Sequence, residues 1–286
     1  VIIILVFGSI SAAYLLFIQE KKATTSSVAK SMKPAPFKPS PKRPKHTVKK
    51  PPITSPKTSK TLSIETHKSA WTSRELTHSE TTEYAETIKL SFPYIYEKPE
   101  NWNGKCIIFV HGMGGDKSVW RGDMDEFKKY GYCVFAFDLP HHGERGRYRP
   151  SDFYDVVYRG SEEIILIEKF LRADGAKEVY LISKSLGSIV SGVALGSSKI
   201  EKAALLLASA NLSYILSRVK PRTEAERMAI QELLNDPEKL REIDPLYHLP
   251  NYGGMVEFHC GKRDQLLPRE SCIMAYEAAS AAKSRE

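Results

Sequence analysis

From about Glu83 onward, short apolar runs alternate regularly with amphipathic stretches, and this pattern restricts the fold more than any other feature of the chain. Strands too short and apolar to be half-exposed, separated by helix-length periodic segments, predict a mostly parallel sheet flanked by helices, an α/β fold. Thr87–Tyr96 reads as an early strand, Cys106–Val110 (CIIFV) as a buried one and Ser118–Tyr130 as a helix. Cys133–Phe137 (CVFAF) is a second buried strand, followed by a polar loop over Asp138–Pro150 and a helix over Asp152–Arg172 kinked at Gly160. Val179–Ile182, Ala203–Ala208 and Met255–His259 supply further strands, with a small-residue helix at Ile189–Leu195 and a last helix over Pro268–Lys283. Between the last two strands, residues 209–252 form a polar insertion with a helical core at Thr223–Leu234, the place for a lid. The folded domain is thus assigned to residues 76–286.

The segments upstream have different physics. Val1–Ile18 carries no charge and would be about 27 Å long as a helix at 1.5 Å per residue, close to a bilayer core. It is read as a transmembrane or signal-anchor helix, and because the chain does not begin with Met the run is expected to extend further upstream. Residues 19–75 read as a Lys/Pro-rich disordered linker, since Glu20–Lys60 holds 12 Lys or Arg against one acid and 8 of the 17 prolines. The chain's formal charge is +8 and this segment contributes +11, so Thr61–Glu286 sums to 8 − 11 = −3. The basic character therefore belongs to the tether, and nucleic acid is not expected as a partner. Lys21, Lys22 and Lys30 just after the apolar run argue for a cytoplasmic domain, whereas Lys/Pro-rich tethers resemble those of exported, envelope-spanning bacterial proteins. The sequence is read as a single-pass membrane protein with the exported orientation preferred.

Cys106, Cys133 and Cys260 lie in apolar strand-like runs, where a thiol acts as a small hydrophobe, and a Cys106–Cys133 bridge is one option. No Cys-x-x-Cys pair, phosphate-binding lysine loop or dinucleotide glycine motif occurs, so neither a metal nor a cofactor is expected.

Chemistry is concentrated around Ser185. It sits between an apolar strand and a helix of small residues, with Ser183 two before it and Gly187 two after. A nucleophile on a sharp strand-to-helix turn needs tiny neighbours at both places, and the helix it opens supplies a free N–H at Leu186. A second donor for an oxyanion is the N–H of Met113 in His111-Gly112-Met113-Gly114-Gly115, a glycine-rich loop following a neighbouring strand.

These segments, HGMGG at His111–Gly115, DLPHHGER at Asp138–Arg145, SKSLGS at Ser183–Ser188 and HCGKRDQLLP at His259–Pro268, resemble the α/β-hydrolase superfamily over Cys106–Glu286. The similarity is greatest to its esterase, dienelactone-hydrolase-like and prolyl-oligopeptidase-like members. The resemblance implies Ser185 as nucleophile, Asp264 as the acid, and Met113 and Leu186 as oxyanion donors, with no cofactor. It also implies the chain order Ser, Asp, His, yet all eight histidines precede Asp264. The base is therefore expected beyond residue 286, with His141, His142, His248 and His259 as weaker substitutes.

On this reading the protein is a membrane-tethered serine hydrolase acting on small-molecule esters or other acyl substrates, carboxylesterase-type and working through an acyl-enzyme. Its rivals are a serine peptidase of related fold and a non-catalytic binding module. Arg145, Arg147 and Arg149 are candidates to recognise a carboxylate or phosphate, or are solvated loop charges. Tyr214, Ile215, Leu216, Met228 and Leu233 either line an acyl pocket or pack the lid.

Overall fold

A computed structural model of the chain describes residues 2–5, 88–262, 264 and 267–283. Seven strands make one sheet: β1 (Ile2–Leu5), β2 (Tyr94–Glu97), β3 (Lys105–Val110), β4 (Cys133–Phe137), β5 (Glu178–Lys184), β6 (Lys202–Leu206) and β7 (Met255–Gly261). Their order is β1-β7-β6-β5-β3-β4-β2, and every pairing is parallel except β2 against β4. The helices are α1 (Arg121–Lys129), α2 (Phe153–Ala173), α3 (Leu186–Leu195), α4 (Leu212–Leu216), α5 (Glu224–Asn235), α6 (Pro237–Ile243), α7 (Pro245–His248) and α8 (Arg269–Lys283).

Both faces of the sheet are covered, which is why its central strands are apolar without alternation. Cys106, Ile108 and Val110 of β3 join the core shared with α2, α3 and α8, while Ile107 and Phe109 join Trp120, Met124 and Phe127 beneath α1. Helix α2 is continuous through Gly160, where the sequence suggests a kink. A Cβ on Gly160 would lie 2.9 Å from Val190 Cγ1, so the glycine lets α2 approach α3 closely.

The chain leaves β3 for β4 on one side and then returns to β5 on the other, so strand order reverses between β3 and β5. Ligands of open α/β sheets bind outside the carboxyl ends at such a switch point.

Two further expectations are corrected. Ile2–Leu5 is a strand paired in parallel with β7 rather than the first turn of a helix. Three consecutive isoleucines are β-branched and suit an edge pairing better than a helical turn. The rest of the apolar run and the whole linker lie outside the described residues. Among the described residues no helix is long and apolar enough to cross a membrane.

The cysteines also pair differently. Cys106 and Cys133 stand side by side on β3 and β4 but are free buried thiols. Parallel neighbours about 4.8 Å apart point their side chains the same way, which keeps their Cβ atoms beyond the roughly 3.8 Å typical of a bridge. The bond is Cys260–Cys272, joining the end of β7 to α8 with Cα atoms 6.0 Å apart.

Residues 207–254 hold α4 to α7, and one buried carboxylate ties their two ends together. Asp244 Oδ1 accepts the N–H groups of Asn211 (2.8 Å) and Leu246 (3.0 Å), and Oδ2 that of Leu212 (2.6 Å). Replacing it by alanine strands three donors, that of Leu212 fully buried and those of Asn211 and Leu246 partly so, and Asp244→Ala should lose about 2–4 kcal/mol of unfolding free energy in a urea titration. A loss below about 0.5 kcal/mol, the scale of a neutral surface change, would contradict this role.

Candidate active site

Ser185 is the link between β5 and α3, and its backbone has φ 55° and ψ −121°, a region that side chains with a Cβ rarely occupy. The turn is held by hydrogen bonds. Ser185 N–H donates to Leu206 O (2.8 Å), and Ser188 N–H closes back on Ser185 O (2.7 Å). Ser183, where glycine is usual, is fully buried, and its hydroxyl donates to Ser188 Oγ (3.3 Å), which donates to Leu206 O (2.8 Å). A serine fits the first flanking place here because its hydroxyl is taken up by Ser188, whose own hydroxyl donates to the carbonyl that holds the turn. Gly187 has no such latitude, since a Cβ there would sit 2.4 Å from His111 O and 2.7 Å from Val110 O.

The loop after β3 lies directly against this elbow. A Cβ on Gly112 would be 3.3 Å from Ser185 Cβ and 3.1 Å from Lys184 O. Gly115 N–H donates to Gly112 O (3.1 Å), with Gly114 at φ +73°, so Met113 occupies the first corner of a tight turn. The N–H at that corner takes no part in the turn's own bond. The Met113 side chain is exposed. Leu186 is the first residue of α3, and its N–H is among those a helix leaves unused.

His111 fixes the turn from below. Leu139 N–H donates to its Nε2 (3.1 Å), which places the imidazole proton on Nδ1, 2.8 Å from Gly112 O. Burial pushes the His111 pKa down and keeps the ring neutral, as this double role requires. Asp138, fully buried, clamps the far end of the loop. Its Oδ1 accepts Lys117 N–H (2.8 Å), and its Oδ2 accepts Lys117 Nζ (2.9 Å) and Glu144 N–H (3.0 Å). Sequence reasoning assigned Asp138 no task of its own, although an acid directly after an apolar strand in DLPHHGER is a signal that it must be internally neutralised.

Asp264 follows β7, two strands from Ser185. Its Oδ1 accepts Leu267 N–H (3.0 Å), and a Cβ on Gly261 would be 2.9 Å from Asp264 Cβ. Arg263, Gln265 and Leu266 lie outside the described residues. The Cys260–Cys272 bond spans this acid-bearing segment, so the loop is tied at both ends.

Among the described residues no histidine hydrogen-bonds Ser185. His141 is engaged with Asp155 (2.7 Å), and His248 with Glu242 O (2.9 Å). His142 holds Pro140 O through Nδ1 (2.8 Å), with Nε2 buried and unpartnered. His259 lies within β7 beside Glu257 (3.3 Å), on the sheet face away from α8. His46, His67 and His78 are outside the described residues. Of the three candidate arginines, Arg145 is withdrawn into the structure. It pairs through both terminal nitrogens with Glu163 (2.7 and 2.8 Å) and donates to Asp138 O (2.9 Å).

A parallel sheet with a strained serine elbow at its switch point, a glycine turn packed beside it and an acid after β7 defines an α/β-hydrolase domain. Residues 107–272, more than half of the chain, match the family described as the alpha/beta hydrolase family, and the chain belongs to it. No curated protein matches the sequence. Among solved structures, TT1662 from Thermus thermophilus superposes with a TM-score of 0.52 at 21% identity, covering 67% of this chain and 80% of that one. Thermogutta terrifontis esterase 2, phosphonylated by sarin, gives 0.50 at 19% identity over 68% and 76%. Pyrococcus horikoshii acylaminoacyl peptidase gives 0.53 at 18%, over 69% of this chain but only 34% of the peptidase. At these identities the likeness is one of fold.

The glycine contacts predict opposite outcomes for two alanine substitutions. Gly187→Ala drives a methyl into two carbonyl oxygens and should cost about 2 kcal/mol or more, or prevent folding. Gly122→Ala, in α1 with open space around it, should be neutral or stabilising by up to about 1 kcal/mol. Equal melting temperatures for the two variants would contradict the packing of the elbow.

Proposed function

We propose that this hydrolase is a serine esterase in which Ser185 forms an acyl-enzyme with carboxylic esters. The observation that carries the reading is the Ser185 backbone at φ 55°, held at the switch point against the Gly112 turn. Strain of this kind persists only where surrounding structure over-determines it, and it presents a hydroxyl at the mouth of the crevice. Ser185 Oγ attacks the acyl carbonyl, and the N–H groups of Met113 and Leu186 receive the oxyanion. The alcohol leaves with a proton, and water then releases the acid. The base that takes and returns that proton is proposed as a histidine following residue 286, oriented by Asp264, in the order the family uses. Residues 209–252 act as the lid.

Export of the domain on its Lys/Pro-rich tether, at a membrane, belongs to the same proposal. The Cys260–Cys272 bond supports it, because disulfides persist in oxidising compartments. A second reading, a hydrolase-like binding module, draws on the absence of a histidine bonded to Ser185 among the described residues. The full-length protein should hydrolyse p-nitrophenyl butyrate, and Ser185→Ala should lower kcat by at least about a thousandfold with its circular dichroism unchanged. Turnover retained in Ser185→Ala would exclude the esterase reading, and no turnover by a folded full-length chain would favour the binding module.

A further inference from the structure

The chain enters the insertion through Leu207–Asn211, a root with a left-handed residue at either end. Leu207 has φ 53° and Asn211 has φ 63°. Backbone of this kind at a residue with a Cβ persists only where its surroundings over-determine it. Here they do so from three directions. Leu206 O, one residue ahead of the root, is the acceptor that holds Ser185 N–H (2.8 Å). Within the root, buried Ala208 donates its N–H to His259 O of β7 (3.2 Å), and buried Ala210 donates to Ser271 O of α8 (3.0 Å). At the far end, the N–H groups of Asn211 and Leu212 are held by Asp244.

The two carbonyls that receive the root stand immediately before the two bonded cysteines. His259 precedes Cys260 and Ser271 precedes Cys272, so the disulfide fixes the spacing of the acceptors that hold Ala208 and Ala210. The same bond closes the segment that carries Asp264. At one end of that segment, a Cβ on Gly261 would lie 2.9 Å from Asp264 Cβ and 3.2 Å from Leu207 Cδ2, so the Leu207 side chain rests against the acid-bearing turn. At the other end, Pro268 O accepts both the N–H (2.9 Å) and the hydroxyl (2.7 Å) of Ser271. The carbonyl that holds the elbow, the strained root, the acid turn and the disulfide are therefore successive links of one network.

We infer that Leu207 and the Cys260–Cys272 bond are positioning elements that set Asp264 against the Ser185 elbow, and that reduction of the bond lowers turnover by loosening both. This role deepens the esterase reading and rests on it for the chemistry, whereas the coupling itself is read without turnover. The reductant is a dithiol. Its thiolate attacks one of the two sulfurs, the S–S bond breaks, and the second thiol of the reagent resolves the mixed disulfide. Two electrons and two protons thereby pass to Cys260 and Cys272, which become thiols, and the reagent closes to a disulfide. Both cysteines are buried, so exchange requires the first turn of α8 to open. Cys106 and Cys133, the other two cysteines of the sequence, are free thiols and hold nothing for a dithiol to reduce.

The test compares the oxidised full-length protein with the same protein after dithiothreitol and with Cys260→Ala/Cys272→Ala, circular dichroism confirming the fold of each. If the double variant does not fold, reversible reduction of the wild type serves alone. Amide hydrogen exchange should quicken over residues 207–212 as well as 261–268 in the reduced form and stay unchanged in β3 and β4. With p-nitrophenyl butyrate, kcat should fall about ten- to a hundredfold while KM changes less than about twofold, because alignment is lost and binding is not. Oxidised glutathione should restore the reduced wild type, and dithiothreitol should not change the double variant. Leu207→Ala keeps the bond but withdraws the side chain from Gly261, and should lower kcat several-fold in the oxidised form. Exchange that is unchanged, or that quickens in 261–268 alone, overturns the coupling whether or not the ester is hydrolysed. Unchanged kcat in a reduced protein that hydrolyses the ester overturns the positioning role and leaves the esterase reading intact. No turnover by the oxidised chain counts against that reading instead, and the exchange pattern then decides the coupling.

Discussion

The contact on which the domain's function depends is the approach of two backbones at the switch point, where the β3 loop and the β5–α3 elbow meet with no side chain between them. Gly187 faces His111 O and Val110 O, and Gly112 faces Lys184 O and Ser185 Cβ. Each glycine is there because any Cβ would push one loop from the other. The strain at Ser185 is stable only because this approach, the Leu206 carbonyl and the Ser183–Ser188 hydroxyl pair fix the turn from three sides. Remove the approach and neither the serine nor the Met113 corner keeps its place.

The remaining architecture supports that contact. The sheet supplies parallel strands whose carboxyl ends converge, and the buried charge of Asp138, neutralised by Lys117, anchors the turn from outside. His111 anchors it from beneath, with a tautomer dictated by Leu139. On the opposite flank, Asp244 closes the insertion on itself and the Cys260–Cys272 bond closes the Asp264 segment. The buried polar groups His111, Asp138, Ser183 and Ser188 hold the turns beside Ser185, where positions are specified by hydrogen bonds rather than by shape alone.

Much of this was legible in the sequence. CVFAF is the observed β4 residue for residue, and the strand at CIIFV begins one residue early, at Lys105. Strands buried on both faces announce themselves as unbroken apolar runs. The elbow was readable from spacing because it demands small residues at fixed offsets. What was not legible depends on partners distant in sequence. Nothing near Arg145 shows that it pairs with Glu163, which separates it from Arg147 and Arg149. Cys260 reads as a core residue until α8 carries Cys272 to it. Asp244 lies in a polar stretch with no local sign that three N–H groups converge on it. The isoleucines at the start of the chain favour a strand by their β-branching, but they open a longer apolar run in which periodicity does not separate strand from helix.

The central claim is that the elbow makes Ser185 a nucleophile, and the most direct measurement is covalent labelling by a fluorophosphonate followed by peptide mass mapping of the full-length protein. A single adduct is expected on Ser185, formed by the native chain and absent both in Ser185→Ala and after unfolding in urea. A folded protein that takes no label, or one labelled at another serine, would contradict it.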